Sequence, residues 1–566
     1  MPRSDNPLIV QGDKTILLEV AHARYAPARD MLARFAELEK SPEYIHTYRI
    51  TPLSLWNASS SGLSAQDVIA GLQEYSKYGL PNNVLRDIED YMGRYGRVKL
   101  IREGEELFLF SEDPILIAEI AQHKRLQPYL RGQVGVDRLR LDPAMRGHIK
   151  QALVQIGFPA EDLAGYVDGE MLPFALRPLS LEGRAFALRD YQREAAEVFY
   201  AAGSSRGGSG AIVLPCGAGK TIVGMAAMAQ LQTSTLILTP NTVAVRQWIT
   251  ELVDKTTLTE DQLGEYSGLQ KDIRPVTVST YQIVTYRKRG ATQGSIEEYP
   301  HFSLFNARNW GLIIYDEVHL LPAPVFRITA ELQARRRLGL TATLVREDGM
   351  EGDVFSLIGP KKYDVPWKDL EKQGWIATAV CHEVRIPLAE DWRMNYALAA
   401  QREKYSVAAH NPRKTPVLKA LIERHAGDNL LVIGMYLDQL QELAAQMGAP
   451  LITGETPVRE RQILYEQFRS GAVKRLVVSK VANFSIDLPD ANVAIEISGT
   501  FGSRQEEAQR LGRILRPKSD GSIAHFYTIV TRDTVDQTFA ANRQRFLTEQ
   551  GYKYEIAYEN EVLGAR

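Results

Sequence analysis

The chain has 566 residues, 45% of them hydrophobic and 24% charged, which suits a folded protein of several domains and excludes a disordered or collagen-like one. Lys plus Arg number 67 against 69 Asp plus Glu, a net charge of -2, so nucleic acid could be held only by local basic patches. The two cysteines, Cys216 and Cys381, exclude a disulfide framework and suit a reducing cytoplasm.

Taken in chain order, ILLEV (16–20) reads as a strand and APARDMLARFAELEK (26–40) as a helix. The N-terminus lacks a signal peptide's apolar core. No apolar run approaches the roughly 18 residues of a membrane span. The expectation is a soluble cytoplasmic protein with no membrane partner. Ser64 caps a helix through Tyr78, and Pro81 opens another through Tyr95. RVKLI and ELFLF then pair around Glu103-Gly104-Glu105. Helix, helix and hairpin in that order resemble a winged-helix module. GSSRGGSG (203–210) reads as a flexible loop, and RGATQGSIEEYPHFS (289–303) as an inserted surface loop.

From Asp190 onward, continuously apolar runs alternate with helical patterns. AIVLP (211–215), TLILTP (235–240), VTVST (276–280), LIIYDE (312–317) and LGLTAT (338–343) form one set. NLLVIG (429–434), APLITG (449–454), RLVVSK (475–480), NVAIEIS (492–498) and HFYTIV (525–530) form a second. Such runs are strands buried on both faces, so the chain predicts an α/β fold of two doubly wound parallel sheets after an α+β N-terminal region. The boundaries expected are 1–180, 181–365 and 366–566. Thr456 caps a helix with Pro457 at its first position and a stop at Gly471. Arg335-Arg336-Arg337 reads as the solvated end of a helix.

LPCGAGKT (214–221) follows a strand and opens a helix. Backbone N–H groups of such a loop cradle phosphates, Lys220 would reach the β- and γ-phosphates, and Thr221 would bind Mg²⁺. Leu214 replaces the first glycine of the general pattern. DEVH (316–319) ends a second strand: Asp316 would hold Mg²⁺, and Glu317 would deprotonate the attacking water. In LRDYQ (188–192), the Gln192 amide can read an adenine edge. In QRLGRILR (509–516), Arg513 and Arg516 share a helix face suited to a polyphosphate, and Gly512 argues against a plain surface helix. Cys216 has no identifiable partner base and reads as a small side chain in a tight turn.

LRDYQ, GAGKT, DEVH, TAT (341–343) and QRLGRILR, in that order, resemble a superfamily 2 helicase. LTATLVRED (340–348), WGLIIYDEVH, IGPKKY, DLPDANV and NRQRFLTEQGY (542–552) are similar to the XPB family, a likeness that covers nearly the whole chain. The resemblance implies two RecA-like domains and an ATP- and Mg²⁺-dependent DNA helicase or translocase of 3′→5′ polarity that serves nucleotide excision repair as a monomer, with a repair nuclease as a possible partner. It implies that Arg189 and Gln192 contact adenine, that Gly217, Ala218, Gly219, Lys220 and Thr221 hold the phosphates, and that Asp487 touches the ribose or keeps the second half in register. Arg513 and Arg516 would complete the ATP site, while Thr341, Thr343 and Gln509 would couple hydrolysis to movement. Family geometry further suggests DNA contacts at Thr239, Asn241, Thr280, Thr453 and Lys480. Arg346, Glu347 and Asp348 would part the strands at a fork. Tyr286-Arg287-Lys288-Arg289 is a local basic patch with an aromatic. Ala482-Asn483-Phe484-Ser485 departs from relatives, which are Asp-rich or Gly-containing before IDLP. Two other readings stay open: a duplex translocase that separates no strands, and an ATP-gated scaffold that recruits a nuclease. RNA is a further candidate substrate.

Overall fold

The computed structural model describes the chain apart from residues 1–4, 42–43, 205, 216, 289–298, 333–334, 345–350, 480–490, 500–510, 513–522 and 565–566. Two compact units divide it: residues 1–37, 48–214 and 219–365 form the first, and 38–47, 215–218 and 366–566 the second. Among the described residues, no helix is long and apolar enough to cross a membrane.

The first unit opens on an antiparallel pair, Leu8–Val10 with Thr15–Glu19. The helix expected over 26–40 is shorter, Tyr25–Leu32, and Glu37–Lys40 is a strand. Ala36 and Leu38 are buried while Glu37 is exposed, an alternation of period two that an extended chain satisfies and a helix does not. Ser64 caps Ala65–Tyr75 in a reciprocal box with Asp67, which donates its N–H to Ser64 Oγ at 3.1 Å. Asn82–Arg94 buries Val84, Ile88 and Met92 at four-residue spacing, the stripe of a helix packed on one face. The hairpin Lys99–Glu103 with Glu106–Phe110 turns at Gly104, whose φ of +60° favours glycine. These strands belong to a five-stranded sheet ordered Leu130–Val134, Arg138–Leu141, Glu106–Phe110, Lys99–Glu103, Glu161–Asp162.

Helix Arg146–Gln155 fastens this sheet to the parallel one. A Cβ on Gly147 would lie 2.4 Å from Ala330 O, so no side chain fits at that crossing. Beside it, Arg146 meets Asp162 at 2.6 Å and Lys150 meets it at 3.1 Å, with all three side chains at most 8% exposed. Removing the carboxylate would leave buried cations without their counter-charge, a change that typically costs about 3–5 kcal/mol. Asp162→Ala is therefore expected to lower the urea midpoint of the first unit clearly. An unchanged midpoint would mean that the network carries no net stability.

The first parallel sheet is ordered Leu263–Tyr266, Val276–Thr280, Thr235–Thr239, Leu312–Asp316, Arg336–Thr341, Ser209–Val213, Lys361–Asp364. The second is ordered Leu451–Ile452, Arg475–Ser479, Leu430–Gly434, Val493–Glu496, Ala524–Thr531, Ala379–Ile386, Tyr554–Tyr558. Each of the ten apolar runs read from the sequence contains a strand, though only Leu451–Ile452 of APLITG is extended, and both sheets are parallel throughout their registered pairs. LGEY, KKYD, AVCHEVRI and YEIAY were not anticipated, because polar residues interrupt them. Inside AVCHEVRI, Glu383 is buried, pairs with Arg385 of the same strand at 2.5 Å and accepts from Gln544 Nε2 at 2.6 Å, which is how a strand with a central acid stays in a core.

Three local expectations change. Ser209 and Gly210 belong to a strand rather than to the loop before it. Arg336 and Arg337 open the strand Arg336–Thr341, and Arg337 is fully buried rather than solvated, donating through Nε to Leu357 O at 2.7 Å. Pro457 is the cap of Val458–Arg469 rather than its first residue, because its ψ of 144° is extended.

Candidate active site

Strand Ser209–Val213 is buried along its length, and its last residue pairs with Thr341. The chain then passes through Leu214–Gly219 into helix Lys220–Leu231. Gly217 and Gly219 both have φ of +81°, a conformation that L side chains rarely adopt. A Cβ on Gly219 would also lie 2.5 Å from Gln192 Nε2, so the loop is closed to larger residues on two grounds. The first-turn N–H groups of the helix have no acceptor within it, and the positive end of its dipole lies there. This is a ready anion site.

Leu312–Asp316 brings the acids to the carboxyl edge of the same sheet. Lys220 Nζ pairs directly with Glu317, with side chains 12% and 16% exposed. Trp248 Nε1–H donates to Asp316 Oδ2 at 2.9 Å, and the Glu317 N–H donates to Oδ1 at 3.1 Å. Tyr281 OH donates to Asp316 O at 2.9 Å, which fixes the backbone beneath the pair. Burial and the neighbouring Glu317 carboxylate push Asp316 up to about 6. Burial acts in the same direction on Glu317, but Lys220 and His319 overcome it and hold that carboxyl below its ordinary value. Two adjacent buried carboxylates thus share one ammonium. The surplus negative charge and the oxygen donors, with Thr221 at the helix start, fit a hard divalent cation.

A hydrogen-bonded chain leads away from this pair. His319 Nδ1 lies 2.7 Å from Thr341 Oγ1, and that hydroxyl donates to Thr343 O at 2.6 Å. A hydroxyl has one proton to give, so Nδ1 of His319 carries the proton and donates. DEVH and TAT are therefore in direct contact. Sequence reasoning placed both motifs but missed this link through His319, and it missed Trp248, whose only signal was a tryptophan inside an amphipathic helix.

Gln192 is buried, its Oε1 accepting from Arg189 N at 3.1 Å as part of the cap of Asp190–Tyr200. Arg189 Nη1 donates to Tyr191 OH at 3.0 Å. Several residues expected at the DNA make hydrogen bonds within the fold. The Thr239 hydroxyl donates to Ser279 O at 3.1 Å with no exposure, and Thr280 caps Tyr281–Val284 through Ile283 N at 3.2 Å. Thr239 Oγ1 is bonded to a neighbouring strand, and Thr280 Oγ1 caps the helix that follows its strand. Asn241 accepts from Val243 N and Ala244 N, each at 3.0 Å, as a helix cap. Thr453 Oγ1 accepts from Glu455 N at 3.2 Å. Tyr286, Arg287 and Lys288 are exposed. Cys216, Arg346, Glu347, Asp348, Lys480, Asp487, Gln509, Arg513 and Arg516 lie outside the described residues.

Comparison with known proteins adds three family matches. ERCC3/RAD25/XPB C-terminal helicase covers residues 370–564, the helicase conserved C-terminal domain 8–134, and the type III restriction enzyme res subunit 185–346. The chain is 56% identical to the DNA 3'-5' helicase XPB of Kineococcus radiotolerans, over 99% of this chain and 98% of that protein. It is equally identical to the DNA 3'-5' helicase XPB of Mycobacterium tuberculosis, over 99% of each chain. It is 33% identical to the general transcription and DNA repair factor IIH helicase/translocase subunit XPB of Enterocytozoon bieneusi, over 97% of this chain and 92% of that one. Likeness of this extent, joined to the phosphate loop, the acid pair and the two parallel sheets, makes the chain a member of the XPB family of superfamily 2 helicases.

Proposed function

We propose that the chain is an ATP-dependent DNA helicase and translocase of 3′→5′ polarity that serves DNA repair. The observation that carries this reading is the pairing of Lys220 with Glu317 beside the buried Asp316, at the carboxyl edge where a glycine loop opens a helix. In it, the loop from Gly217 to Thr221 holds the phosphates of ATP, and Lys220 exchanges Glu317 for them. Glu317, released, orients the attacking water and takes its proton. Asp316 and Thr221 would hold Mg²⁺, which supplies positive charge at the phosphates. The His319–Thr341–Thr343 chain gives a path by which a change at Glu317 reaches the strand end that leads to residues 345–350. Arg346, Glu347 and Asp348 part the strands there, and the patch at Tyr286-Arg287-Lys288 meets the DNA backbone without reading sequence.

Trp248 offers a fine test of the Asp316 role. Phe keeps an aromatic ring at this position but removes the N–H and the outer ring atoms Cη2 and Cζ3 that lie against Gly224, so thermal unfolding is measured alongside to separate packing from the lost hydrogen bond. A hydrogen bond to a charged group contributes about 1.5–3 kcal/mol. Trp248→Phe is expected to lower ATP turnover about tenfold and to raise the Mg²⁺ needed for half-maximal rate, with ATP affinity little changed. Unaltered turnover and Mg²⁺ dependence would remove Trp248 from the account.

The Enterocytozoon relative is described as both helicase and translocase, and this favours duplex translocation as the second reading. Displacement of a strand from a 3′-tailed duplex, run beside displacement of a third strand from a triplex, separates the two. Helicase action predicts both signals, translocation only the second, and a scaffold neither.

A further inference from the structure

Tyr266 and Thr280 end two neighbouring parallel strands, Leu263–Tyr266 and Val276–Thr280, so both stand at the carboxyl edge of the first sheet, as the phosphate loop does. Leu263–Tyr266 is the outermost strand there, five strand spacings from Ser209–Val213. Roughly 24 Å therefore separates its end from the phosphate loop. A ligand seated at this corner would not be the ATP of that loop. The carboxyl ends of parallel strands are nonetheless where such sheets bind their ligands.

Three rings support one another at this corner. Helix Tyr281–Val284 follows Thr280, and the turn after it places Tyr286, whose N–H donates to Ile283 O at 3.2 Å. The Tyr286 ring lies 6.0 Å from that of His301, and the His301 ring lies 5.7 Å from that of Tyr266, edge to face. Tyr266 OH and His301 Nδ1 are 2.9 Å apart, a hydrogen bond that fixes both rings. Burial and the nearby Lys271 hold His301 below its ordinary value, so it is a neutral ring at pH 7. Tyr266 is buried, with Lys271 Nζ 4.6 Å from its ring centroid. Tyr286, by contrast, is 54% exposed. A largely open ring, held from behind, is thus flanked by three exposed cations: Arg287 and Lys288 next to it in sequence, and Lys271 beside Tyr266. Of the acids nearby, Asp272 is paired with Arg274 at 3.0 Å, and Glu265 accepts from Ser267 Oγ at 2.5 Å.

We propose, resting on the reading of the chain as a DNA motor, that Tyr286 stacks an unpaired nucleobase of single-stranded DNA while Lys271, Arg287 and Lys288 meet the flanking phosphates. Every base has a π-face, so the contact reads no sequence. A duplex keeps those faces inside its own stack, so the ring selects single-stranded DNA. The cations alone would hold either form, because phosphate contacts position a nucleic acid without discriminating its bases. A ring already fixed by His301 loses little freedom when a base settles on it, which favours binding.

The test is equilibrium binding of the full chain, at one ionic strength, to a labelled oligothymidylate, to an abasic strand of the same length, and to a blunt duplex. Tyr286→Ala is expected to weaken the oligothymidylate about fivefold or more, and Tyr286→Phe less than about twofold, on the magnitude of one base stacked on an aromatic ring. Recovery by Phe separates stacking from a loss of fold. Wild type should hold the abasic strand about as weakly as Tyr286→Ala holds the oligothymidylate, and duplex affinity should be alike in all three proteins. Equal binding of the oligothymidylate by wild type and Tyr286→Ala overturns the proposal and leaves the motor reading intact. So does an abasic strand that binds wild type as tightly as the ordinary one, or an equal loss of duplex and single strand in Tyr286→Ala. A wild type that binds no DNA removes the motor reading itself, and the proposal with it.

Discussion

Glu317→Gln is expected to lower ATP turnover by about a hundredfold or more, because the amide keeps the side chain's shape but cannot accept the proton of the attacking water. ATP binding should be retained or slightly tighter. In the structure Lys220 is paired with Glu317, so ATP must displace that carboxylate from the ammonium. The amide offers a weaker competitor, which favours the phosphates. Lys220→Ala acts on the other quantity. It removes a charge from the phosphates and leaves Asp316 and Glu317 buried together with no ammonium between them, so nucleotide affinity should fall first. Nucleotide titration and steady-state hydrolysis on both variants read the difference. Wild-type turnover by the Gln variant would sink the assignment of Glu317.

Arg516→Ala is expected to lower turnover about a thousandfold while changing ATP affinity little, on the magnitude of an arginine that stabilises phosphoryl transfer. Arg516 falls in sequence between Val493–Glu496 and Ala524–Thr531, two strands of the second sheet, whereas Lys220 follows a strand of the first. If Arg516 completes the ATP site, as the family resemblance implies, its contribution belongs mainly to the transition state. Single-turnover rates compared with equilibrium binding decide the matter. Equal losses in both would make the arginine a ground-state ligand, and an unchanged rate would remove it from the ATP site.

The legibility of this chain follows its physics. Strands buried on both faces must be apolar along their whole length, so LIIYD and LLVIG announced themselves, and their alternation with helices predicted two parallel sheets. The phosphate loop was legible because glycines with positive φ have few substitutes there. What was hidden depended on distant partners. Arg337 looks solvated beside two other arginines, yet it is buried under Leu357 O. AVCHEVRI looks too polar for a sheet until Arg385 and the distant Gln544 together satisfy Glu383. Sequence likewise does not reveal that the Thr239 hydroxyl bonds the neighbouring strand at Ser279 O, or that Thr280 caps the helix after its own strand. Trp248 gave no hint that its N–H reaches Asp316, since the two lie far apart along the chain. The ATP site is legible where chemistry demands a residue type, and illegible where the fold recruits a common residue to hold another in place.

The most direct test of the central claim is the steady-state rate of ATP turnover by the full chain, measured with no nucleic acid, with single-stranded DNA, with duplex DNA and with RNA. A DNA-driven motor predicts a low basal rate that rises severalfold with DNA, rises less with RNA, and vanishes with DNA present in Glu317→Gln. A rate indifferent to DNA, or one that survives the loss of Glu317, would contradict it.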